Sequence, residues 1–346
     1  MKKKKVLVGM SGGVDSSVAA VLLQKQGYEV IGITFQIWSD IDNEAKEIAS
    51  RLKIPLHILN LKDEFKKEVI EYFTKEYLEG RTPNPCVVCN RHIKFEHLLE
   101  KALEMDIPYI ATGHYARVVQ KKDRFLLKKS KDQEKDQSYF LYNLTQEQLS
   151  HTLFPLGEFS KKRIREIAKD LGLSVASKPD SQDICFIKNG NYSDFISRNS
   201  NSSIKEGDIM NKEGDILGKH TGLSNYTIGQ RKRIRISSKK PLYVIDIDFK
   251  NNILVVGEEQ DLYKDKLVAT DTNLVSFKKL NKPMKVKAKI RYGAKETKAI
   301  ITPLEDGDIS VKFKEKQRAI TPGQSVVFYK KDIVIGGGRI KEENLS

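Results

Sequence analysis

Cysteine is scarce in this chain, with three in 346 residues at Cys86, Cys89 and Cys185, and that count excludes the disulfide framework of a small secreted protein. In a reducing compartment the question is whether these thiols are inert or reactive. Long apolar runs are missing as well. None approaches the ~20 residues of a membrane-spanning helix, and the lysine-rich start leads straight into the strand-like Val6-Leu7-Val8 rather than into a signal-peptide core. The expectation is a cytosolic, cytoplasmic protein with no membrane partner. Tryptophan occurs once, at Trp38. Acidic residues fall short of basic ones, 46 against 61, which gives a formal charge of +15. Such an excess predicts attraction to a polyanion, nucleic acid before others, although a lysine-rich solvated surface produces the same count.

What is present is organised around Gly9, Met10, Ser11, Gly12, Gly13, Val14, Asp15 and Ser16, followed by Ser17. An apolar run precedes this stretch and Val18–Leu23 follows it, so it reads as strand, glycine turn and helix N-terminus. Two glycines let backbone amides point inward, the hydroxyls of Ser11, Ser16 and Ser17 add donors, and the helix contributes its positive end. The ligand expected of such a cradle is a phosphate chain. The turn lacks the lysine of G-x-x-x-x-G-K-[ST], which excludes the kinase and GTPase type of phosphate loop. It resembles instead the S-G-G-x-D-S signature of the PP-loop ATP pyrophosphatases. That resemblance implies ATP cleaved between its α and β phosphates, with AMP left on a substrate oxygen.

A chain of this length predicts two or three domains. Strand-like 29–35 and 55–59 alternate with helical patterns at 43–52 and 63–77, which predicts a doubly wound parallel sheet with its ligand at the carboxyl ends of the strands. Phe35, at such an end, is a candidate neighbour of adenine. Tyr109–Arg117 reads as a buried strand running into a glycine turn, Arg117–Lys129 as a hairpin, and 160–171 as a serine-capped helix ending at Gly172. Residues 190–205 turn to Asn and Ser and read as a linker. Beyond Gly207 helical periodicity gives way to short alternating segments, which predicts a small central β-rich domain and then a β-barrel. Lysines alternating with apolar residues at 285–291 put one basic face outward. The expected division is 1–203 for the nucleotide domain, 204–266 for the central domain and 267–346 for the barrel.

Two proline-bearing segments carry the cysteines, Gly80-Arg-Thr-Pro-Asn-Pro-Cys-Val-Val-Cys89 and Lys178-Pro-Asp-Ser-Gln-Asp-Ile-Cys185. The first delivers Cys86 and Cys89 to a helix start, where thiolates are stabilised. Together with Ala111-Thr-Gly-His-Tyr-Ala116, Lys135-Asp-Gln-Ser-Tyr-Phe-Leu141, Tyr226-Thr-Ile-Gly-Gln-Arg-Lys232 and Thr321-Pro-Gly-Gln324, they make the chain resemble the bacterial tRNA-specific 2-thiouridylases over essentially its whole length. That resemblance implies ATP-dependent adenylation at C2 of the wobble uridine, then sulfur transfer from a cysteine persulfide to give 2-thiouridine. It implies ATP on Gly9–Ser16, Phe35 and Gly113, a persulfide on Cys185, and Cys89 as the second catalytic cysteine, which forms a disulfide with Cys185. It implies contact with the target base by Asn84, Pro85 and Cys86, and with tRNA by His114, Lys135, Asp136, Gln137, Arg291, Tyr292 and Gln324. The implied partners are the tRNAs for Lys, Glu and Gln and a sulfur donor, either a cysteine desulfurase or a sulfur-relay protein.

Asp15 is placed to hold Mg²⁺ against the phosphates, and Asp183, two residues before Cys185, to position that thiol or cap a turn. Many relatives carry Asp where this chain has Cys86. Cys86, Cys89 and Cys185 therefore form a three-thiolate set for a [4Fe-4S] cluster, as an alternative to a persulfide acting alone. Two further readings stay open on the residues: another PP-loop ATP-dependent ligase with incidental cysteines, and an RNA-binding protein with a vestigial nucleotide fold.

Overall fold

The structure is a computed structural model that describes residues 3–37, 43–177, 184–187, 192–200 and 205–342. Trp38 and Asp183 lie outside the described residues, as does the Lys178–Asp183 part of the second cysteine segment.

The first unit is a five-stranded parallel sheet ordered β3-β2-β1-β4-β7, with β1 Lys5–Gly9, β2 Glu29–Gln36, β3 Leu56–Asn60, β4 Tyr109–Ala111 and β7 Thr152–Leu153. Val6, Leu7 and Val8 of the central strand are wholly buried, as expected of a parallel sheet covered on both faces. Helix α1 Val14–Lys25 packs with α2 Asn43–Leu52 and α8 Lys161–Asp170 around one apolar cluster. The other face meets two long helical runs. In one, α3 Lys62–Phe65 and α4 Tyr72–Leu78 are joined by a π-helical turn, Lys66–Glu71; in the other, α5 Pro85–Val88 and α6 His97–Glu104 are joined by a second, Cys89–Glu96. Strand order reverses between β1 and β4, so the loops leaving these two strands open the crevice in which doubly wound sheets bind ligands.

A four-stranded sheet ordered β10-β11-β8-β9 forms the central unit, from β8 Gly207–Met210, β9 Ile216–His220, β10 Tyr243–Asp248 and β11 Ile253–Gly257. The last unit is a closed six-stranded barrel of β12 Tyr263–Asn273, β13 Met284–Lys289, β14 Thr297–Pro303, β15 Ile309–Arg318, β16 Ser325–Lys330 and β17 Ile333–Ile340. Pairing of β12 with both β15 and β17 closes it. In β13 the buried Val286 and Ala288 alternate with exposed Lys285 and Lys287, so the basic outer face read from the sequence is present. The doubly wound sheet, small β-rich unit and barrel are therefore the architecture of the chain.

Two features depart from the sequence reading. The hairpin β5 Ala116–Lys121 and β6 Arg124–Lys129 leaves the nucleotide unit and joins the barrel sheet, Lys128 pairing with Ile333. Leu127, Tyr139, Leu141 and Tyr142 share one apolar cluster with Val327, Tyr329 and Val334 of the barrel wall. The segment read as a linker contains a helix among its described residues: α9 Tyr192–Asn199 forms because Tyr192, Phe195 and Ile196 fall at helical spacing and pack on Phe73 and Phe186. Short helix α7 Gln146–His151 completes the nucleotide unit, opened by a capping box from Thr145 and Gln148.

Candidate active site

The phosphate turn begins where β1 ends. Met10 donates its backbone N–H to Ile33 at 2.7 Å, Gly12 takes φ 74°, and extended Gly13 caps α1. Only a residue without Cβ takes that φ at no cost, which explains the glycine. Ser16 Oγ accepts from the Ser11 N–H at 3.2 Å, lies 3.3 Å from Ser11 Oγ and donates to the Gly13 carbonyl at 3.1 Å. Ser17 differs from expectation: its hydroxyl is buried and turned back on the Gly13 carbonyl at 2.8 Å, where it braces the turn instead of facing a ligand. Gly113, in the loop after β4, lies so close that an added Cβ would come within 2.6 Å of Ser16 N and 2.7 Å of the Asp15 carbonyl carbon. The two loops at the switch point thus touch, and the turn's amides stay accessible only because position 113 has no side chain. Gly9 is under no such pressure, since a Cβ there would meet only ordinary contacts at 3.8 Å. Phe35, one residue from the end of β2, is half-buried and packs against two apolar clusters at once.

The thiols come together beyond the same strand ends. Cys89 is buried in the cluster that contains Phe65, Phe73, Ile93, Phe186 and Ile187, with Phe35 and Leu59 packed against it. Burial of Phe186 and Ile187 anchors exposed Cys185 beside this cluster, while Pro85 opens α5 and leaves Cys86 exposed in its first turn. Cys86 and Cys185 each act electrostatically on Cys89, and Cys185 on Cys86. Desolvation by the surrounding protein pushes all three thiols up, Cys89 to about 12, even though the side chains of Cys86 and Cys185 reach the surface. Lys94, on the π-helical turn, is the cation opposing that rise at every one of them. A π turn takes more residues per turn than an α-helix and often marks a functional site; here it carries both Cys89 and Lys94. Among the described residues no group of three or more His, Cys, Asp or Glu side chains is arranged to hold a metal ion, so no step is derived through a cluster on the three thiols.

The residues singled out for RNA fall into three kinds. Some are spent inside the protein. Asp136 accepts from Ser130 N at 3.0 Å and Ser138 Oγ at 2.7 Å, and its carboxyl is pushed up by burial. Gln137 brackets Tyr115, accepting from its N–H and donating to its carbonyl, both at 2.9 Å. His114 bonds Thr112 at 2.8 Å between the rings of Phe95 and Phe154, and burial holds its pKa near 3, so it is neutral at pH 7. Gln324 joins two units, donating to the carbonyls of Thr82 and Pro83, whereas Arg291 is spent within the barrel on those of Arg318 and Ala319. The third kind faces outward. Tyr292 is 38% exposed and packs on Phe140 with ring centroids 4.5 Å apart, Lys289 lying 5.0 Å over its ring. Lys135 sits in the same loop as Asp136, its backbone N–H on Asp132. At the start of α5 only Cys86 is exposed; Pro85 is buried and Asn84 partly so.

Segments from all three units meet at residues 80–83. Thr82 donates its N–H to Pro322 at 2.9 Å and its hydroxyl to Thr227 at 3.1 Å, and a Cβ on Gly80 would strike Ile247 at 2.9 Å. The motifs Tyr226–Lys232 and Thr321–Gln324 therefore seat the cysteine loop. Sequence reasoning missed Lys94, Tyr115, Asp132 and Lys161. Tyr115 lay within the motif Ala111–Ala116 and Lys94 five residues beyond the first cysteine segment, whereas Lys161 carried only the signal of opening a helix after a serine cap.

Three family models match in order: the tRNA methyl transferase HUP domain over residues 4–189, the tRNA methyl transferase PRC-barrel domain over 193–258 and the aminomethyltransferase β-barrel domain over 264–340. Among curated proteins, the tRNA-specific 2-thiouridylase MnmA of Acetivibrio thermocellus is 56% identical across 99% of this chain and 100% of its own. A second, from Caldanaerobacter subterraneus subsp. tengcongensis, is 54% identical across 99% of both. Of solved structures, a 4-thiouridine synthetase–RNA complex with bound ATP overlaps 53% of this chain and 45% of its own at 21% identity and a TM-score of 0.40.

Proposed function

The chain belongs to the tRNA-specific 2-thiouridylase family, and on that premise we propose that it is an ATP-dependent sulfurtransferase that converts the wobble uridine of tRNA to 2-thiouridine. The observation that carries this reading is the placement of Cys89 and Cys185 in and beside one apolar cluster at the strand ends from which the phosphate turn also emerges. An enzyme that only adenylates has no use for two thiols from distant segments held there.

In this reading Gly9–Ser16 and Gly113 hold the phosphates of ATP, and Phe35 lies against the adenine. Asp15, a single carboxylate beside the phosphates, suits Mg²⁺, which commonly binds through one carboxylate and phosphate oxygens and would screen their charge. The uridine O2 bonds to the α-phosphorus as pyrophosphate departs with its electron pair, and AMP on oxygen becomes the leaving group. The terminal sulfur of a Cys185 persulfide then attacks C2. Cys89 thiolate attacks Cys185 Sγ, and the S–S bond breaks with its electrons moving to the transferred sulfur. AMP leaves, and a Cys89–Cys185 disulfide remains for an external thiol to reduce. Lys94 favours the thiolate forms that burial opposes. Tyr292 and Phe140 offer a stacking surface for an unpaired base, and Lys135 and Lys289 meet phosphate. The substrates are the tRNAs for Lys, Glu and Gln, and the sulfur comes from a cysteine desulfurase or a relay protein.

The test is incubation of purified protein with ATP, unmodified tRNA, a cysteine desulfurase and cysteine, with nucleosides then analysed by mass spectrometry. Formation of 2-thiouridine at the wobble position is expected. AMP release with no thionucleoside would point to a PP-loop ligase of another kind.

A further inference from the structure

The phosphate turn lacks a lysine of its own, and the fold supplies one from 146 residues downstream. Lys161 Nζ lies 2.8 Å from Asp15 Oδ1 and 2.7 Å from Oδ2, and the Tyr115 hydroxyl donates to Oδ1 at 2.8 Å. The Lys161 side chain is only 10% exposed. Its root is fixed at the first position of α8: its backbone N–H donates to Asp132 Oδ2 at 2.8 Å, and Ser160 caps the helix through Arg163 N. Its ammonium lies 5.7 Å over the Tyr115 ring, and the Tyr115 backbone is itself held by Gln137.

Burying a lysine and a carboxylate together gains little stability, because desolvation offsets most of their attraction. A structural staple at this place would be served as well by apolar side chains. What sets this pair apart is its address: Asp15 lies in the first turn of α1, inside the anion cradle and against Gly113. We propose that Lys161 is a polyphosphate-binding residue of the nucleotide site, oriented by Asp15 and Tyr115 so that its ammonium neutralises the departing pyrophosphate. The inference rests on the reading of the turn as an ATP site. As the uridine O2–Pα bond forms, the bond from Pα to the bridging oxygen breaks and its electron pair stays on the β-phosphate. A rigidly held ammonium stabilises that charge at the moment it develops.

The experiment is calorimetric binding of ATP, inorganic pyrophosphate and adenosine, with Mg²⁺, to wild type, Lys161→Met and Lys161→Arg, each checked for folding by thermal melting. In Lys161→Met, ATP and pyrophosphate are expected to bind about tenfold or more weakly, the worth of one charged hydrogen bond. Adenosine should stay within twofold, and Lys161→Arg should recover most of the loss. Unchanged ATP and pyrophosphate binding in folded Lys161→Met overturns the proposal, and so does an equal loss for adenosine, which would mark a structural staple. In ¹⁵N-lysine-labelled wild type, the Lys161 ammonium resonance, assigned by its loss in Lys161→Arg, should shift with pyrophosphate and not with adenosine; no shift with pyrophosphate refutes the proposal without reliance on Lys161→Met folding. A wild type that binds ATP in this way yet thiolates no tRNA contradicts the functional reading and leaves the role of Lys161 standing.

Discussion

Gln324, in the turn before β16, donates its side-chain amide to the carbonyl oxygens of both Thr82 and Pro83, at 2.9 and 3.1 Å. The barrel thereby holds the loop that delivers Asn84, Pro85 and Cys86. Both carbonyls precede α5 and have no place in its hydrogen-bond ladder, so the amide supplies partners that the local backbone lacks.

Gln324→Ala should cost about 1–2 kcal/mol of stability, the usual penalty for leaving partly buried carbonyls unsatisfied. The larger effect should fall on thiolation, through misplacement of the cysteine loop, while ATP binding stays near wild type. Chemical denaturation, a thiolation assay and nucleotide titration check the three parts.

Gly113→Ala should abolish nucleotide binding without unfolding the protein. The added methyl would lie 2.6 Å from Ser16 N, a backbone amide that cannot move without distorting the start of α1. Calorimetry with ATP, alongside an unchanged circular dichroism spectrum, tests this.

His114 makes stability depend on pH with a definite sign. Burial, aided by the Lys94 charge, lowers its pKa from 6.5 to about 3, so between these values the unfolded chain binds a proton that the native state refuses. Its contribution is intact above pH 6.5 and is lost as pH falls toward 3. In urea denaturation at a series of pH values, His114→Asn should lower the proton uptake on unfolding near pH 5 by up to one proton. An uptake equal to wild type would contradict the buried, neutral imidazole.

Cys185→Ser should bind ATP and tRNA and still form the adenylated intermediate, because that step uses the nucleotide site and the uridine oxygen and no thiol, yet it should transfer no sulfur. Cys86→Ser should lose activity only mildly if a persulfide acts alone. Lys94→Met should leave adenylation of tRNA unchanged, slow sulfur transfer and move its pH-rate profile upward, since it removes the charge that opposes the desolvation of all three thiols.

The strand, glycine turn and helix start were legible in the sequence because their parts are local: two glycines and three serines within the seven residues 11–17. The barrel was legible for a similar reason, since strand alternation shows in neighbours such as Val286 and Lys287. Partnerships across the chain were not. Nothing near Lys161 announces that its ammonium reaches Asp15, and nothing in Arg117–Lys129 announces that the hairpin joins β17. Composition misread 190–205, because Asn and Ser masked the helical spacing of Tyr192, Phe195 and Ile196. The π-helical register at Cys89–Glu96 also escaped, since periodicity arguments assume the 3.6 residues per turn of an α-helix.

The central claim, that this chain adenylates the wobble uridine and then sulfurates it through Cys185, is tested most directly by one paired assay. Wild type and Cys185→Ser are each given ATP, unmodified tRNA, a cysteine desulfurase and cysteine, and AMP-linked tRNA and 2-thiouridine are quantified together. The account expects 2-thiouridine from wild type alone, with adenylated tRNA accumulating on Cys185→Ser. Thiolation by Cys185→Ser at the wild-type rate would contradict it.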